Sequence, residues 1–154
     1  MKIKKIINDL YPYHYSVIGS GNDKAIKIFK KLLNFKITNF NSNLSINGWV
    51  IPRPYIIQEA KIYDSKNKNC LYDGKKNPLG VILNTSNFSG TITQKKLKDH
   101  IFYHKRSKKF IPFHCTLQYR PSSKNWGFCM SKKNFLEIKD EKYFLNIKKK
   151  YIKT

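Results

Sequence analysis

The chain has 154 residues, enough for one domain with a substantial core, and a formal net charge of +22. No window approaches the 18 apolar residues of a membrane span, and the basic start lacks the apolar run of a secretory signal. Three widely spaced cysteines without a CxxC pair argue against a disulfide framework and a zinc ribbon. We therefore expect a soluble, cytoplasmic protein that does not bind membranes.

The positive charge leaves nucleic-acid or polyanion binding open as an alternative function. Only three of the 31 basic residues are arginines, and lysine lacks the bidentate geometry that reads base edges. The lysines accompany an excess of Asn, Ile, Phe and Tyr, the combination that an A+T-rich coding sequence produces without selection for binding. The charge therefore predicts non-specific adsorption to polyanions, which oligonucleotide binding across a salt series would test.

Helical periodicity marks the first two elements of the chain. Residues 2–10 place isoleucines and a leucine at helical spacing, which predicts an amphipathic helix. A second helix is predicted over 24–33, with Asn22 or Asp23 as its N-cap. Its apolar face is formed by Ala25, Ile28, Phe29, Leu32 and Leu33.

Beyond residue 34 the pattern changes to short alternating runs, which predict strands. The predicted strands cover residues 35–40, 45–51, 55–64, 70–73 and 79–84. One embedded helix is predicted over 94–104, with Thr93 as its N-cap. The fold class is therefore α+β, with two N-terminal helices followed by a strand-rich mixed unit with one embedded helix.

The stretch from Ile111 to Ser131 combines a tryptophan, two cysteines and a proline-flanked turn. Residues 111–119 and 126–130 are predicted to pair as a β-hairpin. We expect Trp126 to be buried with its indole N–H on a backbone carbonyl, and Gly127 to permit a close backbone approach. Cys115 and Cys129 would lie on neighbouring strands as small buried hydrophobes.

Two constellations of chemically active residues have simpler interpretations than a catalytic or metal site. His100 and His104 would share a face of the predicted helix, but HIFYH lacks the glutamate of the metalloprotease motif, so ordinary histidines are the preferred interpretation. His114 and Cys115 are adjacent in sequence and would point to opposite strand faces, which excludes a Cys–His dyad of these two residues.

Colinear motifs along nearly the whole chain resemble an uncharacterised aminopeptidase-like family. They are YPYHYSVIGSG, GWVIPRPYIIQEAKIYD, LGVILNTSNFSGTITQKKLKDHIF, IPFHCTLQY followed by NWGFCMS, and YFLNI. Members of this family look like two-zinc aminopeptidases with an inserted lid domain, often associated with polysaccharide biosynthesis. The matched motif residues, to which we assign a structural role, are Trp49, Pro52, Pro112, Tyr119, Trp126, Gly127, Phe128 and Cys129.

The resemblance also has departures. The family's acidic residue before the first tryptophan is Gly48 here, its arginine before S-I-T-G is Tyr15, and its second tryptophan is Tyr55. Its zinc ligands and catalytic glutamate follow the Y-x-V-x-I strand, and no position here matches them. We therefore expect no catalytic, metal-binding or cofactor-binding residue in this chain, with zinc belonging to the full-length family.

The resemblance implies that residues 1–34 belong to the peptidase-like core and that 35–147 carry the lid. The run of lysines near the end of the sequence separately predicts a frayed basic tail over 148–154. The expected partner is a complementary peptidase-like half or a second copy of the chain. The apolar face of the second helix should then be poorly covered in this chain alone.

Overall fold

The computed structural model describes residues 3–13, 19–64, 66, 68–115 and 124–152. It divides the chain into two units, which are considered separately. Unit 1 contains residues 1–56 and 150–154, and unit 2 contains residues 57–149. Helices and mixed sheets occur in the predicted order, so the α+β class is confirmed.

Unit 1 begins with the two predicted helices, α1 (Ile3–Leu10) and α2 (Ser20–Lys30). Helix α2 starts earlier than predicted, because Gly19 is its N-cap and no side chain caps it. The prediction of Asn22 or Asp23 as the cap is therefore wrong. Asp23 lies in the first turn instead, where a carboxylate interacts favourably with the helix dipole.

A short hairpin follows in unit 1. Strands β1 (Ser45–Ile46) and β2 (Trp49–Val50) pair antiparallel around Asn47 and Gly48. The φ angles of these two turn residues are 49° and 81°, as a type I′ turn requires. The strand predicted over 35–40 is wrong, because that segment has no regular secondary structure.

The remaining elements, in chain order, are β3 (Tyr55–Asp64), β4 (Cys70–Asp73), a 3₁₀ helix (Gly74–Lys76), β5 (Phe88–Thr93), α3 (Gln94–Lys98), β6 (Ile101–Phe102), β7 (Phe128–Cys129), α4 (Lys132–Leu136) and β8 (Lys142–Tyr151). Four of these strands form a sheet with the order β4-β3-β8-β5. Strands β3 and β4 pair antiparallel, and so do β5 and β8 along the whole of β5.

One face of this sheet packs on the hydrophobic core of unit 2. Alternate residues of β8 point into it, with Tyr143, Leu145 and Ile147 almost completely buried, which is the pattern expected of a half-buried strand. The core cluster contains Ala60, Ile62, Ile92, Leu97, Ile101, Trp126, Phe128, Met130, Ile138, Tyr143, Leu145 and Ile147.

Three further predictions differ from the structure. Helix α3 has the predicted Thr93 cap, which accepts a hydrogen bond from the Lys96 N–H, but it ends at Lys98. The buried segment 79–84 forms only isolated bridges at Val81 and Leu83 instead of a continuous strand. The predicted frayed tail is also wrong through Tyr151, because β8 extends to that residue.

Candidate functional site

The motif residues fall into both units. Unit 2 contains Trp126, Gly127, Phe128 and Cys129, all of them buried, together with the half-buried Pro112. In unit 1, Pro52 is exposed, and so is Trp49, at 71%. Tyr119 lies outside the described residues. The candidate site built from the motifs is therefore the buried segment from Trp126 to Cys129.

Strand β7 at this site has two neighbours, one on each side. It pairs parallel with β6, and the Phe128 N–H donates to the His100 carbonyl at 2.9 Å. On the other side, the Cys129 N–H donates to the Gly80 carbonyl at 3.1 Å, and Val81 bridges Phe128. The motif is therefore held by segments distant from it in sequence.

The predicted hairpin between residues 111–119 and 126–130 is wrong for the described residues. Cys115 forms a parallel bridge with Leu83, and the Leu83 N–H donates to the His114 carbonyl. The Ile82 N–H meanwhile donates to the Gly127 carbonyl at 3.2 Å. Residues 82 and 83 therefore hydrogen-bond both segments, and Cys115 and Cys129 do not face each other across a hairpin.

Trp126 is 7% exposed, which confirms its predicted burial. Its ring stacks on Phe88 at a centroid distance of 4.3 Å and on His100 at 3.8 Å. Nδ1 of His100 also lies 2.8 Å from the Trp126 carbonyl, which can only accept, so Nδ1 carries the proton. The predicted hydrogen bond from the indole N–H stays a prediction.

Gly127 stands where two segments meet closely, as predicted. A Cβ atom at this position would lie 2.8 Å from the His100 carbonyl oxygen, 3.1 Å from Phe102 Cε2 and 3.2 Å from Ile82 Cγ2. The nearest of these is a backbone atom, which cannot move without disturbing the β6–β7 pair. Only glycine fits without displacing its neighbours.

The two cysteines of this region are poor nucleophiles and poor metal ligands. Burial raises the pKa of the Cys129 thiol to about 12, although the His114 backbone N–H opposes this shift. Burial also raises the pKa of Cys115. Zinc and electrophiles react with the thiolate, so neither thiol suits either role. Within the described ranges, no three His, Cys, Asp or Glu side chains group as a metal site would require.

The histidines are arranged differently from the prediction. His100 and His104 do not share a helix face, because α3 ends before both of them. The His100 Nδ1–H donates to the Trp126 carbonyl, whereas the His104 Nδ1 accepts a hydrogen bond from the Ser107 N–H at 3.0 Å. His114 stacks on Phe102 at 3.5 Å. Sequence analysis missed both histidine–aromatic stacks, because their members are widely separated in sequence.

His114 is expected to make stability depend on pH. Its Nε2 atom is buried and has no hydrogen-bond partner in the described part of the chain, and burial lowers its pKa from the ordinary 6.5. Below pH 6.5, His114 is therefore protonated in the unfolded chain while it is still neutral in the folded chain. The contribution of His114 to the free energy of unfolding is fully present above pH 6.5, and it is lost as the pH falls through the lowered pKa of the folded state.

Thermal melts between pH 7.5 and 5 test this expectation. His114→Phe keeps an aromatic ring against Phe102 and cannot titrate, so its midpoint should fall less with acidification than that of the wild type. Phe113→Leu is the matched control, because Phe113 is an exposed aromatic residue beside His114 and its replacement leaves His114 in place, so its melts should follow the wild-type pH dependence. Equal slopes for His114→Phe and wild type would contradict the assignment.

The geometry of this site is that of a packing junction. The Tyr72 hydroxyl donates to the Cys129 carbonyl at 2.5 Å, and the Trp126 ring is stacked on both Phe88 and His100. Among the described residues, no helix is long and apolar enough to cross a membrane. The structural role expected of the motif residues in unit 2 stays a prediction.

Comparison with known proteins supports the resemblance seen in the sequence. A Clostridium acetobutylicum protein, provisionally named a polysaccharide biosynthesis protein with an aminopeptidase-like domain, is 28% identical over 142 residues, covering 92% of this chain and 32% of that protein. A crystal structure provisionally described as a peptidase from the same species has a TM-score of 0.78 and 26% identity, covering 96% of this chain and 34% of that one. The chain thus spans about a third of the length of these relatives.

A family profile identifies the part of the chain that carries most of the motifs. The profile described as a domain of unknown function, DUF2172, matches residues 54–150, which is more than half of the chain. This match and the aminopeptidase-like relatives confirm the resemblance proposed from the motifs. The chain belongs to the DUF2172 family.

Proposed function

We propose that these residues form the N-terminal, lid-bearing portion of an aminopeptidase-like protein, without peptidase activity of their own. The observation that carries the proposal is that nearly the whole chain matches about one third of the length of each relative, with a TM-score of 0.78 for the crystal structure. In such an enzyme a lid supplies shape and excludes water, whereas metal ions polarise the carbonyl and activate the attacking water. Polysaccharide biosynthesis is the process proposed for the whole protein.

Unit 1 supports the proposal because it exposes an apolar surface. Among its described residues, only Leu10, Ala25 and Pro54 are buried. Of the apolar face of the second helix, Phe29 is 37% exposed and Leu33, which follows α2, is 59% exposed, whereas Ile28 and Leu32 are half-buried. Other large exposed side chains of this unit are Ile3, Ile7, Tyr11, Phe35, Ile37, Phe40, Leu44, Trp49, Val50, Ile56 and Tyr151.

An apolar surface of this extent favours a partner that covers it. The partner we propose is a complementary peptidase-like half, and a second copy of the chain is the alternative. Light scattering distinguishes the two, since a concentration-dependent dimer would favour the second copy. The free thiols Cys70, Cys115 and Cys129 support placement in a reducing, cytoplasmic compartment.

The absence of independent catalysis is tested with purified chain, added zinc and aminoacyl-p-nitroanilide substrates. We expect turnover indistinguishable from the blank, because burial raises the pKa of the Cys115 and Cys129 thiols and the His100 Nδ1–H donates to a carbonyl. A known zinc aminopeptidase verifies the assay. Zinc-dependent turnover that a chelator abolishes would refute this part of the proposal.

A further inference from the structure

The most strongly basic part of unit 2 is the loop formed by residues 104–110, HKRSKKF, called here the basic loop. Its cations Lys105, Arg106, Lys108 and Lys109 are all exposed. The surrounding sequence from His100 to Leu136 contains eight lysines and arginines and not one aspartate or glutamate. In the described part of the chain, none of the four loop cations forms a salt bridge. The loop therefore concentrates uncompensated positive charge.

The backbone of the basic loop is fixed by its own hydrogen bonds and by α4. Ser107 Oγ accepts from the N–H groups of Lys109 and Phe110, at 3.4 and 3.3 Å. From α4, the Lys133 N–H donates to the Lys108 carbonyl at 3.2 Å, and Lys132 Nζ donates to the Lys105 carbonyl at 3.0 Å. The cations consequently extend from an ordered turn, which lowers the entropy that binding would cost.

Aromatic rings lie at the base of this turn. His104 and Phe110 approach edge to face at 6.3 Å, which brings the two ends of the loop together and leaves the four cations between them. Phe110 is 68% exposed, and Phe113, shortly after the loop, is 55% exposed. The loop thus combines outer cations with open aromatic faces beside them.

We propose that the basic loop and Phe113 form a binding site for single-stranded nucleic acid. The cations would contact consecutive phosphates, and the faces of Phe110 and Phe113 would stack on unpaired bases. A lipid surface fits less well, because Phe110 and Phe113 are the only exposed apolar side chains between residues 104 and 115, beside four cations. A duplex offers no unpaired base to the rings. This site is independent of the peptidase-like assignment.

Binding of oligo(dT) to the full chain across a salt series tests the cations. The loop variant is Lys105→Gln, Arg106→Gln, Lys108→Gln and Lys109→Gln, and the control variant is Lys66→Gln, Lys68→Gln, Lys139→Gln and Lys142→Gln. Both remove four charges from exposed positions of the same unit. Each phosphate contact contributes roughly 0.7 to the magnitude of the slope of log K against log[salt]. The loop variant, which removes four cations, should therefore reduce that magnitude by about 3, whereas the control variant should change it by less than about 1.

Phe110→Ala and Phe113→Ala test the stacking. Each should weaken oligo(dT) binding by about fivefold or more and leave binding to inorganic polyphosphate, which has no bases, unchanged. Unaltered melting midpoints confirm that every variant is folded. Equal losses in loop and control variants would overturn the proposal, since only total charge would then matter. Tighter binding to vesicles containing 30% phosphatidylglycerol, or to duplex DNA, would overturn the choice of ligand.

Discussion

Trp126→Ala is expected to destabilise the chain by about 3–5 kcal/mol, the usual range for truncating a buried aromatic residue. The indole is buried between Phe88 and His100, so its removal forfeits two stacking contacts and leaves a cavity in the core of unit 2. A loss of this size is a large part of the stability of a small domain. The melting midpoint should fall by roughly 10 °C.

The chain offers a matched control for this experiment. Trp49→Ala removes a tryptophan that is 71% exposed, so its midpoint should stay close to that of the wild type. Paired melts of the two variants separate the loss of a buried contact from the general effect of losing an indole. A wild-type midpoint for Trp126→Ala would mean that this ring lines an open surface, and the structural assignment of the motif would fail.

Elements with strong local signals could be predicted from the sequence. The alternation in YIIQEAKIYD gave β3 with its observed bounds, and Thr93 capped the helix as expected. The short strands predicted within 45–51 are present as β1 and β2, but the turn at Asn47 and Gly48 that pairs them as a hairpin was not predicted. In each case the chemistry that determines the structure lies within a few neighbouring residues.

Elements that depend on distant partners could not be predicted. The alternation of FKITNF is as regular as that of β3, but Phe35, Ile37 and Phe40 are exposed and the segment pairs with no described strand. The helical pattern after Gln94 continues past Lys98, yet Ile101 pairs with Phe128 instead. A strand exists only where another strand supplies its hydrogen bonds, and the sequence does not identify that strand.

The candidate site shows the same division. Burial of Trp126 and the close approach at Gly127 followed from residue type, because a large apolar ring and a neighbouring glycine restrict their environment. The segments that pair with the motif, by contrast, could not be predicted from residue type. Sequence proximity suggested a hairpin with residues 111–119, whereas β6 and the segment 80–83 hold β7 in the structure.

Gly80→Ala is expected to destabilise unit 2 by about 3 kcal/mol or more, as overpacking at a rigid contact does. The backbones of Gly74 and Gly80 touch. A Cβ atom at Gly80 would lie 2.8 Å from the Gly74 carbonyl carbon and 2.9 Å from its Cα, and closer still to its oxygen. Relief would require moving the 80–83 segment, whose Gly80 carbonyl accepts from the Cys129 N–H at 3.1 Å.

The sign of the effect makes this experiment decisive. Where space allows, replacing glycine by alanine stabilises a protein by about 0.4–1 kcal/mol, because the unfolded chain loses conformational freedom. Gly48 provides the contrast, since nothing lies within 4 Å of a Cβ there and only its φ of 81° opposes substitution. Gly48→Asn should therefore change stability by less than about 1 kcal/mol, because asparagine tolerates positive φ. Chemical denaturation of both variants measures the difference, and a Gly80→Ala variant as stable as wild type would show that the two backbones do not touch.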